Sequence, residues 1–319
     1  MEILQWSILF VVALAVLIKS ADYFTNTAER IGLHFKISPF IIGVTIIALG
    51  TSLPEIATSI MAVLNNQSEM VIGNVVGSNL ANILLVIGTI AIIGKNISFK
   101  RDILHIDLPI LIGSTILLLI TTADGQFTYK DGIICLVGLI TYLLYAAKSQ
   151  RKLGEEEMKD IRDLKKEERG PIPIKYFLIL IISGIFLYFG AEYTIKAVIE
   201  LSEIFNIGTE VIALSAIAIG TSLPELAVSI SAIKGKKIDM AIGNITGSNI
   251  FNVLGVMGIP ALFGTLTISP EMISFAIPFL IFITILYTFT TMNRRISQWE
   301  GIIFILIYLT FMGKTFGIM

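Results

Sequence analysis

The chain has 319 residues, of which 55% are hydrophobic and only 15% charged, with a net charge of −1 at pH 7. That balance lies far from the composition of soluble domains, and with no basic excess it argues against nucleic-acid binding. The single cysteine, Cys135, excludes an intramolecular disulfide, and His34 and His105 stand too far apart in sequence to suggest a zinc site.

In chain order, apolar runs occupy residues 3–22, 37–64, 70–93, 103–122, 131–147, 174–199, 208–233, 239–263, 271–290 and 298–316. Most are long enough to cross a hydrocarbon core of about 30 Å as a helix. A soluble protein with buried strands would interrupt such runs every ~4–8 residues, and these continue. The first run opens on Glu2 and passes into Asp22 without a small-residue cleavage site. It therefore reads as a retained span, not a signal peptide. The expected fold class is an all-α polytopic membrane protein of ten transmembrane helices.

Basic residues set the expected orientation. With the N-terminus outside, every Lys and Arg falls in an inward connection except Lys19, Lys130, Lys196 and Lys314, as the positive-inside bias requires. Both termini are then expected outside. The connection from Lys148 to Lys175 is the long polar one, mixing basic residues with Glu155, Glu156, Glu157, Asp160, Asp163, Glu167 and Glu168 before Pro171 and Pro173. A short solvated helix and a turn fit it, and it is too short for a core of its own. The expected organisation is a first five-helix repeat over 1–147, a cytoplasmic linker over 148–175 and a second repeat over 176–319.

The halves are related by more than span count. Gly50–Glu55 reads GTSLPE, followed by Ile72–Asn74 as IGN, Gly77–Asn79 as GSN, and Asn82; each of these positions returns 170 residues later, from Gly220 to Asn252. Ala21, Tyr23 and Ile37 recur as Ala191, Tyr193 and Ile207, while Asp22 becomes Glu192. Five spans per half make the second copy enter the membrane in the opposite sense, which is an inverted-topology repeat.

Glu55 and Glu225 each fall near the middle of an apolar span, where an unpaired ionised carboxylate costs at least about 2.5–3.5 kcal/mol. Neither motif holds a basic residue, so a cation, a proton, or each in turn must compensate. Pro54 and Pro224 lack the amide hydrogen that would engage the carbonyls of Gly50 and Gly220, so an unwound point with free carbonyls is expected at each. Thr51, Ser52, Thr221 and Ser222 add neutral oxygens. Two facing carboxylates with such oxygens form a hard site of charge −2 that suits calcium better than magnesium or a transition metal. Ser78 and Ser248 offer hydroxyls suited to sodium. Gly73, Gly77, Gly243 and Gly247 also read as helix-packing positions, but packing does not explain the asparagines beside them. With amides at Asn82 and Asn252 the pocket keeps two titratable groups, which argues against potassium and leaves sodium and protons open as counter-ions.

At these residues the chain resembles the cation/calcium exchanger superfamily, and within it the sodium/calcium exchanger branch of prokaryotic type, with signatures GTS-x-PE and GN-x-x-GSN. The likeness extends over essentially the whole chain. It implies ten helices in two inverted repeats and a secondary active antiporter, with no catalytic role and no cofactor. By position it implies Glu55 and Glu225 as shared ligands and the carbonyls of Thr51 and Thr221 at a central calcium site flanked by Asn82 and Asn252. Ala48, Thr51, Ser52 and Ser78 would line an inner sodium position, and Ala218, Thr221, Ser222 and Ser248 an outer one. The resemblance favours sodium over a proton/calcium antiporter. A channel, an intramembrane enzyme and a purely structural membrane protein are the other rivals. The implied partners are calcium, sodium and the bilayer, with no nucleic acid, and the repeat builds a site within a monomer. The first and sixth spans are the expected moving pieces.

Overall fold

Long apolar runs fold as helices in hydrocarbon because every backbone donor and acceptor must be satisfied within the segment. The computed structural model describes residues 2–99, 107–149, 172–204, 220 and 222–315. Its helical segments are α1 (Glu2–His34), α2 (Pro39–Leu64), α3 (Glu69–Gly94), α4 (Asp107–Thr122), α5 (Tyr129–Ser149), α6 (Ile174–Ile204), α7 (Leu223–Lys234), α8 (Ile238–Leu262), α9 (Met272–Thr291) and α10 (Gln298–Thr315). Seven of them, α1, α2, α3, α5, α6, α8 and α9, are long and apolar enough to cross a membrane on those grounds alone. The expected linker helix and the first half of the 208–233 span lie outside the described residues. α1 runs past its expected end near residue 22, because the polar stretch that follows is helical and bonded to other elements. Ser231 Oγ donates to Asp22 at 2.6 Å, and Lys237 Nζ reaches Glu29 at 2.7 Å and Asn26 at 2.5 Å.

Two short antiparallel pairings establish how the halves relate. Strand β1 (Ile97–Ser98) pairs with β4 (Arg295–Ile296), and β2 (Gln126–Phe127) with β3 (Leu266–Thr267). β1 precedes α4 and β2 follows it, whereas β3 precedes α9 and β4 follows it. The end at which α4 begins is thus the end at which α9 stops. These are the fourth helices of the two repeats and they run in opposite senses, as an inverted repeat requires.

The turns between α2 and α3 and between α7 and α8 also correspond bond for bond. Gln67 and Lys237 donate their amides to Ala62 and Ala232, both at 2.8 Å, while Asn66 and Lys236 donate to Val63 and Ile233 at 3.0 and 2.9 Å. Asn66 and Lys236 adopt φ of 58° and 59°, the left-handed residue of a Schellman helix end.

α3 and α8 are the central helices, with 72% and 89% of their apolar windows buried, while α1 and α6 are peripheral at 17% and 28%. The buried apolar residues form two clusters. The larger joins α2–α5 and α7–α10, and the smaller lies where α1 and α6 meet α2 and α7. At Gly190 of α6 an added Cβ would lie 2.8 Å from the backbone nitrogen of Leu17, so α1 and α6 cross in close contact. α2 and α8 cross closer still. A Cβ on Gly243 would collide with the carbonyl oxygen of Phe40, and one on Gly247 would lie 2.7 Å from Val44 Cα. Gly243 and Gly247 are therefore packing residues. The positions related by the repeat to that facing surface, 210–218, lie outside the described residues.

Gly243→Val should destabilise the protein by at least about 1–3 kcal/mol through overpacking. A Cβ on Gly113 of α4 meets nothing among the described residues, so Gly113→Ala should be neutral or stabilising by up to about 1 kcal/mol. Thermal unfolding of both variants in detergent checks the contrast.

Candidate ion-binding site

The four helices α2, α3, α7 and α8 place a belt of polar side chains inside an otherwise apolar interior. Thr51, Ser52, Glu55 and Ser59 come from α2 and Ser78, Asn79 and Asn82 from α3. Ser222 caps α7, which carries Glu225 and Ser229, and α8 supplies Asn244, Ser248, Asn249 and Asn252. All are buried.

Glu55 is 2% exposed and Glu225 1%, and among the described residues none of their four carboxylate oxygens meets hydrogen-bond geometry with a partner. They lie close enough for their charges to repel one another. Burying two such groups without compensation is costly. Among the described residues no cluster of three or more His, Cys, Asp or Glu side chains occurs. The formal charge of the site is therefore −2, and the remaining candidate ligands are neutral oxygens.

Two crossed amide bonds hold those oxygens in place. Asn82 Nδ2 donates to Asn249 Oδ1 at 3.1 Å, and Asn252 Nδ2 donates to Asn79 Oδ1 at 3.0 Å. The pairs are equivalent under the repeat, so each half braces the other. Because the amide nitrogens are used in this way, Asn82 Oδ1 and Asn252 Oδ1 remain buried and unpaired, as does Ser52 Oγ. These oxygens can serve a cation. Asn79 and Asn249, by contrast, spend their side-chain carbonyls on the brace, and Asn79 Nδ2 donates to the Asn249 backbone carbonyl at 3.2 Å. The sequence left these asparagines unexplained by packing, and it carried no signal that separates Asn79 and Asn249 from Asn82 and Asn252.

The backbone departs from the α-helix where Asn82 and Asn252 emerge. π-helical turns span Ala81–Val86 in α3 and Asn252–Val256 in α8. Such bulges recur at functional sites because they re-aim side chains and loosen backbone bonding. No periodicity of the sequence announced them.

The expected unwinding at Gly50 is not found. α-Helix continues from Ala48 to Leu64 through Pro54, and the irregular turn is a π-helical one at Gly43–Ile47. The Pro54 ring lies over the carbonyl of glycine, the residue with least to displace. A Cβ on Gly50 would lie 2.5 Å from the Phe24 ring, so this glycine serves the approach of α1. In the second repeat Gly220 is helical, and Thr221 and the residues before Gly220 lie outside the described residues. Ser222 has φ −93° and ψ 3°, and α7 begins at Leu223 with Pro224 in its first turn.

The remaining hydroxyls link the repeats. Thr51 Oγ1 lies 3.5 Å from Ser248 Oγ, and Ser222 Oγ donates to the Ser78 carbonyl at 3.5 Å. Ala48 is fully buried, and its Cβ would lie 2.9 Å from a Cβ on Gly247. Ala218 and Thr221 lie outside the described residues. Within each repeat a second bond ties neighbouring helices, from Asn74 Nδ2 to Ser59 Oγ at 3.4 Å and from Asn244 Nδ2 to Ser229 Oγ at 3.1 Å. Sequence reasoning missed both serines. Their signal was the same offset of 170 residues.

Residues 6–148 and 175–316 match the family described as "Sodium/calcium exchanger protein". The chain is 32% identical to the inner membrane protein YrbG of Escherichia coli, covering 92% of this chain and 91% of that protein. It is 30% identical to the sodium/calcium exchanger MaX1 of Methanosarcina acetivorans over 98% of each. A solved structure of the sodium-calcium exchanger NCX_Mj, soaked with sodium and strontium, superposes with a TM-score of 0.80 at 30% identity, covering 97% of this chain and 98% of that one. The family model and these relatives cover nearly the whole length, and the chain belongs to the sodium/calcium exchanger family.

Proposed function

We infer that this protein is a secondary active antiporter that exchanges sodium for calcium across the membrane by alternating access. The observation that carries the reading is the pair of buried carboxylates, one from each inverted repeat, with no hydrogen-bond partner for any of their oxygens among the described residues. Such a pair crosses the membrane interior at least cost when a cation accompanies it. One divalent ion or several monovalent ions can neutralise the same two groups, and competition for those groups is what couples the two fluxes.

In this reading Glu55 and Glu225 are ligands shared by all bound ions. The carbonyls of Thr51 and Thr221 complete a central calcium site, with Asn82 and Asn252 at its flanks. Ala48, Thr51, Ser52 and Ser78 form an inner sodium position, and Ala218, Thr221, Ser222 and Ser248 an outer one. The crossed amide brace supports a site of fixed width, since shifting either repeat strains both of its bonds. The peripheral position of α1 and α6 supports their moving together over the core. The distribution of Lys and Arg supports both termini outside and the 148–175 linker in the cytoplasm. A monomer suffices, because one chain supplies both halves of the site.

The function is tested in liposomes containing the purified protein, by following calcium-45 uptake driven by an outward sodium gradient with pH clamped on both sides. Sodium-driven uptake is expected, and uptake driven only by a proton gradient would reassign the counter-ion. Glu55→Gln and Glu225→Gln should each reduce exchange by at least about a hundredfold, the equivalent of roughly 3 kcal/mol lost from a charged ligand. Asn79→Leu leaves the buried Asn252 Nδ2 without its acceptor and should cost about 1–3 kcal/mol of stability. Thermal unfolding measures that loss, and calcium affinity should fall with it.

A further inference from the structure

One end of α1 is bonded across its seam with the core. Asp22, Asn26 and Glu29 follow one another at intervals of four and three residues and so lie along one face of the helix. Ser231 Oγ of α7 donates to Asp22 at 2.6 Å, and Lys237 Nζ, in the turn into α8, donates to Asn26 at 2.5 Å and to Glu29 at 2.7 Å. The bonds to the two carboxylates are short and charge-assisted, the stronger class of hydrogen bond. The Lys237 and Glu29 side chains are only 14% and 25% exposed, so water and salt screen their ion pair in part.

Phe24 lies within this row. Its ring stands 2.5 Å from the place of a Cβ on Gly50 and 3.4 Å from that of one on Gly184, so it fills the gap between α2 and α6. Gly50 directly precedes Thr51. Bonds that fix α1 at this level therefore also fix a ring packed on the helix that carries Thr51, Ser52 and Glu55. In the second repeat Ile195 of α6 lies over Gly220 in the same way, 2.8 Å from a Cβ built there. The polar row is not repeated. Its positions in α6 are held by Glu192, Lys196 and Ile199, and those of Ser231 and Lys237 by Met61 and Gln67. Among the described residues the three bonds of α1 have no equivalent there.

We propose that Asp22, Asn26 and Glu29 form a latch with Ser231 and Lys237 that holds α1 against α7 and α8 and makes the state closed toward the cytoplasm the resting one. A displacement of α1 by one helical turn, about 5.4 Å, breaks all three bonds at once. The seam along α6 regains no such bonds when it closes in turn, so the two states differ in energy by the strength of the latch. The distribution of Lys and Arg puts this end of α1 on the cytoplasmic side. The latch thus sets from which side ions find the site open at rest. It rests on the exchange reading above, with α1 and α6 as the moving pieces.

The test uses the full-length protein in right-side-out and everted membrane vesicles of expressing cells, with calcium-45 uptake driven by an outward sodium gradient over a range of calcium concentrations. Ser231→Ala and Lys237→Met should each lower the half-saturating calcium concentration at the cytoplasmic face about fivefold, the equivalent of about 1 kcal/mol, one typical hydrogen bond. At the outer face the change should stay below about twofold, because the latched state already dominates and loses little of its population. Ser231→Thr and Lys237→Arg keep the donors and should return wild-type values. Equal changes at both faces, or none at either, would reduce the row to packing and overturn the latch while the exchange reading stands. An effect confined to the outer face would overturn it too. Wild-type uptake that ignores the sodium gradient would remove the exchange reading and the latch together.

Discussion

Glu55 and Glu225 lie buried near one another, and among the described residues neither carboxylate has a hydrogen-bond partner; the rest of the architecture follows from that constraint. Two like charges at short range in a low-dielectric interior cannot both persist without positive charge beside them. Proteins ordinarily solve this with a lysine or arginine. Here the solution is left to a mobile cation, so the protein is stable in its charged form only when it carries cargo. That condition is the physical root of coupling, because an exchanger that crosses its barrier empty would leak.

Everything near the carboxylates serves to keep the surroundings neutral and fixed. The asparagine brace supplies four amides, of which two carbonyls are consumed and two remain available. Aspartate at these positions would add charge that the next cation would have to cancel. The glycine crossing of α2 and α8 brings the backbones of the two repeats into direct contact beside the buried polar belt. Crossed hydrogen bonds and close backbone contacts resist shear far better than an apolar seam.

The two repeats are alike without being identical, and the differences are physically meaningful. α1 is tied to α7 and α8 through Asp22, Asn26 and Glu29. The corresponding residues of α6 are Glu192, Lys196 and Ile199, facing a repeat whose counterparts to Ser231 and Lys237 are Met61 and Gln67. Ile199 cannot form the ion pair and Met61 offers no hydroxyl. Among the described residues these three polar bonds of α1 have no counterpart at the equivalent positions of α6. Perfect symmetry would make the two faces equal in energy, and these substitutions unbalance them.

Much of this was legible in the sequence. The uninterrupted apolar runs determined the helices, since hydrocarbon permits little else. The constant offset of 170 residues and the odd number of spans per half determined the inverted relation, and two glutamates without basic neighbours pointed to the candidate cation ligands. What the tertiary structure decided concerns pairings between residues far apart in the chain. A composition cannot say that Asn79 and Asn249 are braces while Asn82 and Asn252 keep free oxygens, because all four are the same residue. Only the crossing of α3 and α8 sorts them. Nor could local rules foresee that α2 stays helical through Pro54, since they weigh the lost backbone bond but not the packing of α1 against Gly50. Local chemistry is written in the order of residues, whereas the choice among equivalent polar partners depends on geometry that exists only once the two repeats have come together.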